Sequence, residues 1–164
     1  MAGRRRPLGG ERIAGARRGP VEVSAEQRWL LLYDADCGFC KWLLAGLLRC
    51  DRARRLRPIP LQQPEAGQFL ADLGPAERMA SWHLIAPGGE RRSGGAALPP
   101  LLRLLPGGRV PAAAFGRIPR LTDRGYRWVA DHRSQLSSWV PTTSKQRASE
   151  RVRQREQATE APDD

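Results

Sequence analysis

Residues 29–40 read WLLLYDADCGFC, and this stretch decides the predicted fold. The apolar run Trp29–Tyr33 has no alternation of polar and apolar side chains, so it suits a short strand buried on both faces of a sheet. The polar residues 34–36 end that run. Apolar side chains then recur at helical spacing from Phe39 to Leu48, which predicts a helix from about Cys37 to about Asp51. Two cysteines therefore lie where a buried strand gives way to a helix.

The rest of the chain continues this pattern. Extended segments are predicted at Leu56–Leu61, whose two prolines suit a sheet edge, and at Ser81–Ile85, with a hairpin partner at Glu90–Ser93. Helices are predicted over 65–73 and 96–105, followed by a looser stretch to Leu121. A last helix is predicted to begin with Thr122 as its N-cap and to end at Pro141. This order indicates an α/β domain.

Charge divides the chain into three parts. The 164 residues carry a net charge of +11, and residues 1–20 hold six arginines and one glutamate. Residues 145–164 hold five basic and five acidic side chains and almost no large apolar ones. We expect a disordered basic arm over 1–24, a folded domain over 25–144 and a disordered charged tail over 145–164.

Composition also limits the class of protein. No apolar run approaches the roughly 20 residues of a membrane span, and no secretory signal follows the first arginines. Three cysteines, an odd number, argue against a secreted disulfide scaffold, so a cytoplasmic protein is expected. The arginine-rich arm suits weak, non-specific contact with nucleic acid or with acidic membranes. An arginine-rich composition also arises from genome base composition, so charge alone does not name a function.

The Cys37-x-x-Cys40 pair is the feature that carries chemistry. A thiol at a helix start lies near unsatisfied backbone N–H groups, which lower its pKa from about 8.5 and supply the attacking thiolate. Cys40 follows one turn later, close enough to resolve a mixed disulfide. Two other interpretations stay open: inert structural cysteines, or half of a zinc site. Zinc needs two further ligands, and the remaining candidates are scattered along the sequence: Cys50, His83 and His132. No metal or cofactor is therefore expected.

The neighbours of the pair have simpler predicted roles. Asp36 immediately precedes Cys37 and is predicted to cap the helix. Asp34 has two open roles: it relays protons during exchange, or it holds the turn by hydrogen bonding. Cys50 lies thirteen residues beyond Cys37, about 20 Å along a helix, which is too far for a disulfide between them. Both histidines are assigned to packing or to the surface.

Three segments resemble one known family. These are Leu32–Cys40, the middle block Trp82–Ala97 with its glycine pairs, and the closing block Asp123–Arg133. Together they resemble the DCC family of thioredoxin-like thiol–disulfide oxidoreductases. The resemblance implies a thioredoxin-like fold, with a central mixed sheet flanked by helices, and an enzyme of dithiol–disulfide exchange. It implies protein or small-molecule thiols and disulfides as partners, and the catalytic residues Cys37, Cys40 and Asp34.

Two departures accompany the resemblance. The family usually has glycine where this chain has Ala35, and an alanine forced to positive φ would cost about 1 kcal/mol. Thioredoxins place a cis-proline before the strand that faces the disulfide, but residues 78–82 contain no proline. The alternative to an enzyme is a binding module that contacts nucleic acid through its arginine-rich arm.

Overall fold

The computed structural model describes residues 27–160. The predicted basic arm over 1–24 lies outside the described residues, as does the end of the predicted tail, 161–164. Four strands form one sheet: β1 (Trp29–Tyr33), β2 (Leu56–Pro60), β3 (His83–Ile85) and β4 (Arg91–Ser93).

The strand order is β2-β1-β3-β4, so β1 is central and β2 lies at an edge. β1 and β2 run parallel, with Leu31 opposite Pro58. β3 runs antiparallel to β1 and to β4. The prolines of β2 lack an N–H for a ladder, so they are tolerated at this edge, as the sequence predicted.

Helices surround the sheet. In the part of the chain that the structure describes, they are α1 (Gly38–Cys50), α2 (Pro64–Phe69), α3 (Pro75–Ala80), α4 (Leu98–Arg103), α5 (Arg109–Arg117), α6 (Pro119–Asp131), α7 (Arg133–Trp139) and α8 (Thr142–Glu160). A 3-10 turn, Gly94–Ala97, precedes α4. None of these helices has both the length and the apolar character needed to cross a membrane.

Side chains of β1 alternate between two cores. Leu31 and Tyr33 pack on one face, against α1, α4 and α8, whereas Leu32 packs on the other face, against α2 and Ile59. All three are almost fully buried. The uninterrupted apolar run therefore reflects a central strand covered on both sides.

The predicted fold class is confirmed. A parallel β1–α1–β2 unit followed by the antiparallel β3–β4 hairpin forms a mixed sheet flanked by helices, which is the α/β class expected from the element order and the thioredoxin-like arrangement that the family resemblance implied. The strand positions agree within two residues.

Several helix predictions were wrong. The segment taken as a looser stretch contains α5, and Gly74 is followed by a second short helix, α3. The last predicted helix is two helices, α6 and α7, that meet at His132. Thr122 does not cap a helix. It lies inside α6, where its hydroxyl donates to the carbonyl of Phe115 at 2.9 Å.

α6 packs tightly on the 3-10 turn because of a glycine. A Cβ on Gly95 would lie 2.5 Å from the Cα of Asp123, a distance that no side chain tolerates. The phenol of Tyr126, one turn further along α6, accepts a hydrogen bond from the backbone N–H of Trp82 at 2.8 Å. These two contacts hold α6 beside the chain that leads into β3.

The charged tail predicted over 145–164 is wrong for residues 145–160, because they form most of α8. Ala148 and Val152 of this helix are almost fully buried in the core that contains Leu31 and Tyr33. The phenol of Tyr33 donates to Glu156 at 2.8 Å. Burial, together with this carboxylate, raises the pKa of Tyr33 well above its ordinary value.

A buried charge pair joins α8 to the end of α1. Asp51 is 1% exposed, and its carboxylate accepts the backbone N–H groups of Arg55 and Leu56. Arg155 lies 3.7 Å from that carboxylate and donates to the carbonyls of Leu48 and Asp51. A cation at these carbonyls also opposes the negative end of the helix dipole. α8 is therefore part of the folded domain.

We expect Val152→Ala to lower the free energy of unfolding by about 2 kcal/mol, because it deletes buried methyl groups and leaves a cavity. Chemical denaturation measures this change. Gln154→Ala, on the exposed side of the same helix, is the matched control and should leave the stability within about 0.5 kcal/mol. Equal stabilities for the two variants would mean that α8 does not dock in solution.

Candidate active site

The two cysteines form a disulfide at the start of α1. Their Cα atoms are 5.2 Å apart, within the range that a disulfide spans. Cys37 is the N-cap of the helix, and its Sγ accepts the backbone N–H of Cys40 at 3.2 Å. Cys37 is half-buried, whereas Cys40 is only 7% exposed. The outer sulfur is thus the one that receives a hydrogen bond from the helix terminus.

The cap differs from the prediction. Asp36 is not the N-cap of α1, since Cys37 takes that position with its own side chain. The carboxylate of Asp36 instead accepts a hydrogen bond from Gln62 at 3.1 Å. A sulfur at the N-cap leaves the positive end of the helix free to act on the thiol, which a capping carboxylate would have partly neutralised.

Asp34 holds the loop between β1 and α1. The residue is 6% exposed, and its Oδ1 accepts the backbone N–H of Asp36 at 3.0 Å and the amide of Gln62 at 2.9 Å. Gln62 also accepts the backbone N–H of Ala35 at 3.2 Å. The hydrogen bonds that a turn-forming Asp34 would use, one of its two predicted roles, are therefore present.

The second oxygen of Asp34 faces a cation. Arg133, the first residue of α7, lies 3.5 Å from Oδ2, and it donates to the carbonyl of Met79 at 3.4 Å. Its guanidinium thus connects three segments around the cysteine pair: the end of β1, the end of α3 and the start of α7. A neighbouring cation reduces the repulsion that a buried carboxylate would exert on a thiolate.

Lysine side chains line the outer side of the helix start. Lys41 and Lys145 border a polar groove of about 590 Å³ together with Asp36 and residues of α8. Lys145 packs over Gly38, where an added Cβ would approach its Cδ to 3.3 Å. The side chain of Lys145 therefore lies directly on the glycine between the two cysteines.

The remaining candidates lie away from the pair. Cys50, at the end of α1, is an exposed free thiol. His83 is buried in β3, and its Nε2 donates to the carbonyl of Arg78 while Nδ1 accepts from Ser93. Burial lowers the pKa of His83, which favours this neutral form. His132 stacks on Trp128. Within residues 27–160, no three metal-ligating side chains come together.

The two departures from the family have a simple structural outcome. Arg54 is the one non-glycine residue with positive φ among the described residues, so Ala35 adopts an ordinary conformation and carries no penalty. The segment that leads into β3, where thioredoxins have their cis-proline, contains only trans peptide bonds, as do the other described residues.

Comparison with known proteins assigns the family. A family model described as DCC1-like thiol-disulfide oxidoreductase matches residues 31–139. The chain belongs to this family. No curated protein and no solved structure matched the chain. The matched residues of this family member run from β1 to the end of α7, and α8 follows them.

Two side chains of the candidate site were missed in the sequence. Gln62 follows β2, and Asp34 follows β1, so the parallel pairing of these strands brings both to one edge of the sheet. That signal was available, because the carboxyl ends of parallel strands share an edge. Arg133 closes the block Asp123–Arg133 that resembles the family, but it lies 99 residues beyond Asp34, and no local pattern pairs the two.

We expect the oxidised, folded protein to react with one equivalent of an alkylating agent, at Cys50, since that thiol is exposed while Cys37 and Cys40 are bonded. Mass spectrometry of the intact protein and its peptides counts and locates the adducts. Reduction followed by denaturation should give three adducts. An oxidised sample alkylated at Cys37, with Cys50 protected, would contradict this pairing.

Proposed function

We propose that this family member catalyses dithiol–disulfide exchange with protein or small-molecule partners, with Cys37 as nucleophile and Cys40 as resolving cysteine. The observation that carries the proposal is the unequal placement of the two sulfurs. Cys37 is half-buried at the helix terminus, while Cys40 is nearly enclosed one turn further along. A partner sulfur reaches the outer cysteine more easily than the inner one.

The surroundings of Cys37 support its role as the attacking thiolate. The N–H of Cys40 that approaches its Sγ would donate to a thiolate in the reduced protein. The 13-residue helix α1 places the positive end of its dipole at the same atom. Both effects favour the charged sulfur over the neutral thiol.

The electrons of the proposed exchange balance between the cysteine pair and the substrate disulfide, without a further redox group. The Cys37 thiolate attacks one sulfur of a substrate disulfide, the substrate S–S bond breaks, and one substrate thiolate leaves. Cys40, after losing its proton to the medium, attacks Cys37 Sγ in the mixed disulfide and releases the second substrate thiolate. The substrate has gained two electrons, and the protein holds the Cys37–Cys40 disulfide. A dithiol donor reverses these steps and restores the reduced pair.

Asp34 is proposed to act by position. Its carboxylate holds the backbone of Asp36 and the amide of Gln62, and Arg133 faces its other oxygen. These contacts set the loop that presents Cys37. The other role predicted for Asp34 is a proton relay, and the two roles lead to different expected rates for the Asp34→Asn variant.

Both cysteine variants are made in a Cys50→Ser background, because the exposed Cys50 thiol would itself react with a disulfide. In that background we expect Cys37→Ser to abolish reduction of a small chromogenic disulfide, because no thiolate remains at the helix terminus. Cys40→Ser should form the mixed disulfide and stop there, so it should accumulate covalent adducts that a thiol reductant releases. Stopped-flow absorbance and non-reducing mass spectrometry measure both effects. Cys50→Ser, a change at the far end of α1, is the control and should exchange at the original rate. If only Cys37→Ser accumulated adducts, the nucleophile would be Cys40 and the resolving cysteine Cys37. Unchanged exchange rates in both variants would refute the proposal.

We expect Asp34→Asn to keep most of the exchange rate, because asparagine retains the Oδ1 acceptor that the loop uses and gives up only the charge beside Arg133. Asp34→Ala removes that acceptor, so it should lower the free energy of unfolding by about 1–3 kcal/mol and slow exchange. Rates measured from pH 5 to 9 separate the two roles. A large loss of rate in Asp34→Asn, with one titration missing from the profile, would assign the proton relay instead.

A further inference from the structure

An apolar groove runs beside Cys40. It encloses about 480 Å³ between α1, α6 and the segment that leads into β3. Arg133 is the one charged side chain in its lining, and Cys40 forms part of its wall. Its apolar walls include Phe39, Leu43, Phe115, Ile118, Leu121 and Val129. A molecule in this groove therefore lies next to the cysteine pair.

Exposed apolar side chains concentrate at the rim of this groove. Of the eight large apolar side chains that are exposed among the described residues, four line it. They are Leu43 at 37%, Phe115 at 38%, Ile118 at 47% and Leu121 at 61% exposed. Single exposed apolar residues are ordinary on a protein surface, whereas a cluster around one cavity marks a binding site.

The apolar surface continues along α6 beyond the groove. Trp128 is 56% exposed and lies seven residues, or two turns, after Leu121 on the same strip of the helix. Seven residues of helix span about 10 Å. This extension exceeds what a small molecule seated in the groove would touch, and it suits a polypeptide that leaves the groove along α6.

The charge beside the groove selects among polypeptides. Arg133 is part of the groove lining, and Arg124 of α6 is exposed. Arg124 lies three residues after Leu121, which makes the two side chains neighbours on the helix surface. If a second copy of the protein docked on this face through the same surface, arginines would lie against arginines and repel each other. The arginine-rich residues 1–20 would be repelled in the same way. A polypeptide with acidic side chains has the complementary charge.

We propose that the groove binds the segment beside the reacting cysteine of a polypeptide disulfide, when that segment carries large apolar side chains followed by acidic residues. The proposal rests on the exchange activity proposed above. The apolar side chains fill the groove next to Cys40, which brings the substrate sulfur to Cys37, and the acidic residues lie against Arg124. The groove thus gives the redox pair a preferred class of substrate.

The test compares three peptide disulfides with a small chromogenic disulfide. One peptide has leucines beside its cysteine and glutamates beyond them, the second replaces the leucines by serines, and the third replaces the glutamates by lysines. Reduced protein is mixed with each, and chromatography measures the exchange rate constants. We expect the leucine–glutamate peptide to react at least about tenfold faster than either of the others, the scale of one apolar contact in a pocket.

Matched variants locate the preference. Leu121→Gln should reduce the ratio of rates for the leucine and serine peptides by about tenfold. Val110→Gln changes an apolar residue that is 79% exposed and outside the groove lining, so it should preserve that ratio. Arg124→Gln should remove the preference for glutamate over lysine. Arg49→Gln, a change of an exposed arginine at the far end of α1, should keep it.

The outcomes separate the two proposals. No exchange with the small disulfide refutes the proposed function itself. Exchange with the small disulfide, but equal rates for all three peptides, leaves the function standing and overturns the groove assignment. A small apolar disulfide that gains the same advantage as the leucine peptide, and loses it in Leu121→Gln, would mean that the groove takes a small molecule, which also overturns the polypeptide proposal.

Discussion

The buried carboxylate of Asp34 is the contact on which the arrangement of the cysteine pair depends. The side chain of Asp34 is 8% exposed, and a carboxylate buried to that degree must be compensated by hydrogen bonds or by charge. Here the backbone of Asp36, the amide of Gln62 and the guanidinium of Arg133 supply that compensation. Each partner belongs to a different part of the chain. Satisfying one carboxylate therefore fixes the loop before α1 relative to β2 and to α7, and with it the position of Cys37.

Local patterns were enough to predict the centre of the fold. The apolar run of β1 and the helical spacing of α1 are strong because both elements are buried on the faces that the pattern marks. The position of the cysteine pair could therefore be predicted as well, because the pair lies at the junction of those two elements. Asp36 was misassigned because carboxylates usually cap helices, whereas here the sulfur of Cys37 accepts the hydrogen bond of the cap.

α8 could not be predicted in the same way. Its buried stripe consists of Ala148 and Val152, continued by the stems of Arg155 and Glu156, so it has little of the large apolar character that marks a helix face. Its attachment depends on distant polar groups, the phenol of Tyr33 and the end of α1 at Asp51. Such contacts join residues more than 100 positions apart, and no window of sequence contains both partners.

The cysteine pair consequently lies between two unlike surfaces. α6 supplies an apolar wall on the side of Cys40, while α8 supplies a polar wall, with Lys145 and Glu150, on the side of Asp36 and Lys41. The residues matched by the family model include α6 and end before α8. The apolar wall thus belongs to the matched region, and the polar wall depends on the helix beyond it. Because Lys145 packs on Gly38, that helix also touches the redox motif itself. Lys145 thus contributes to the surroundings of the Cys37 end of the motif, whereas no residue of α8 lines the groove beside Cys40.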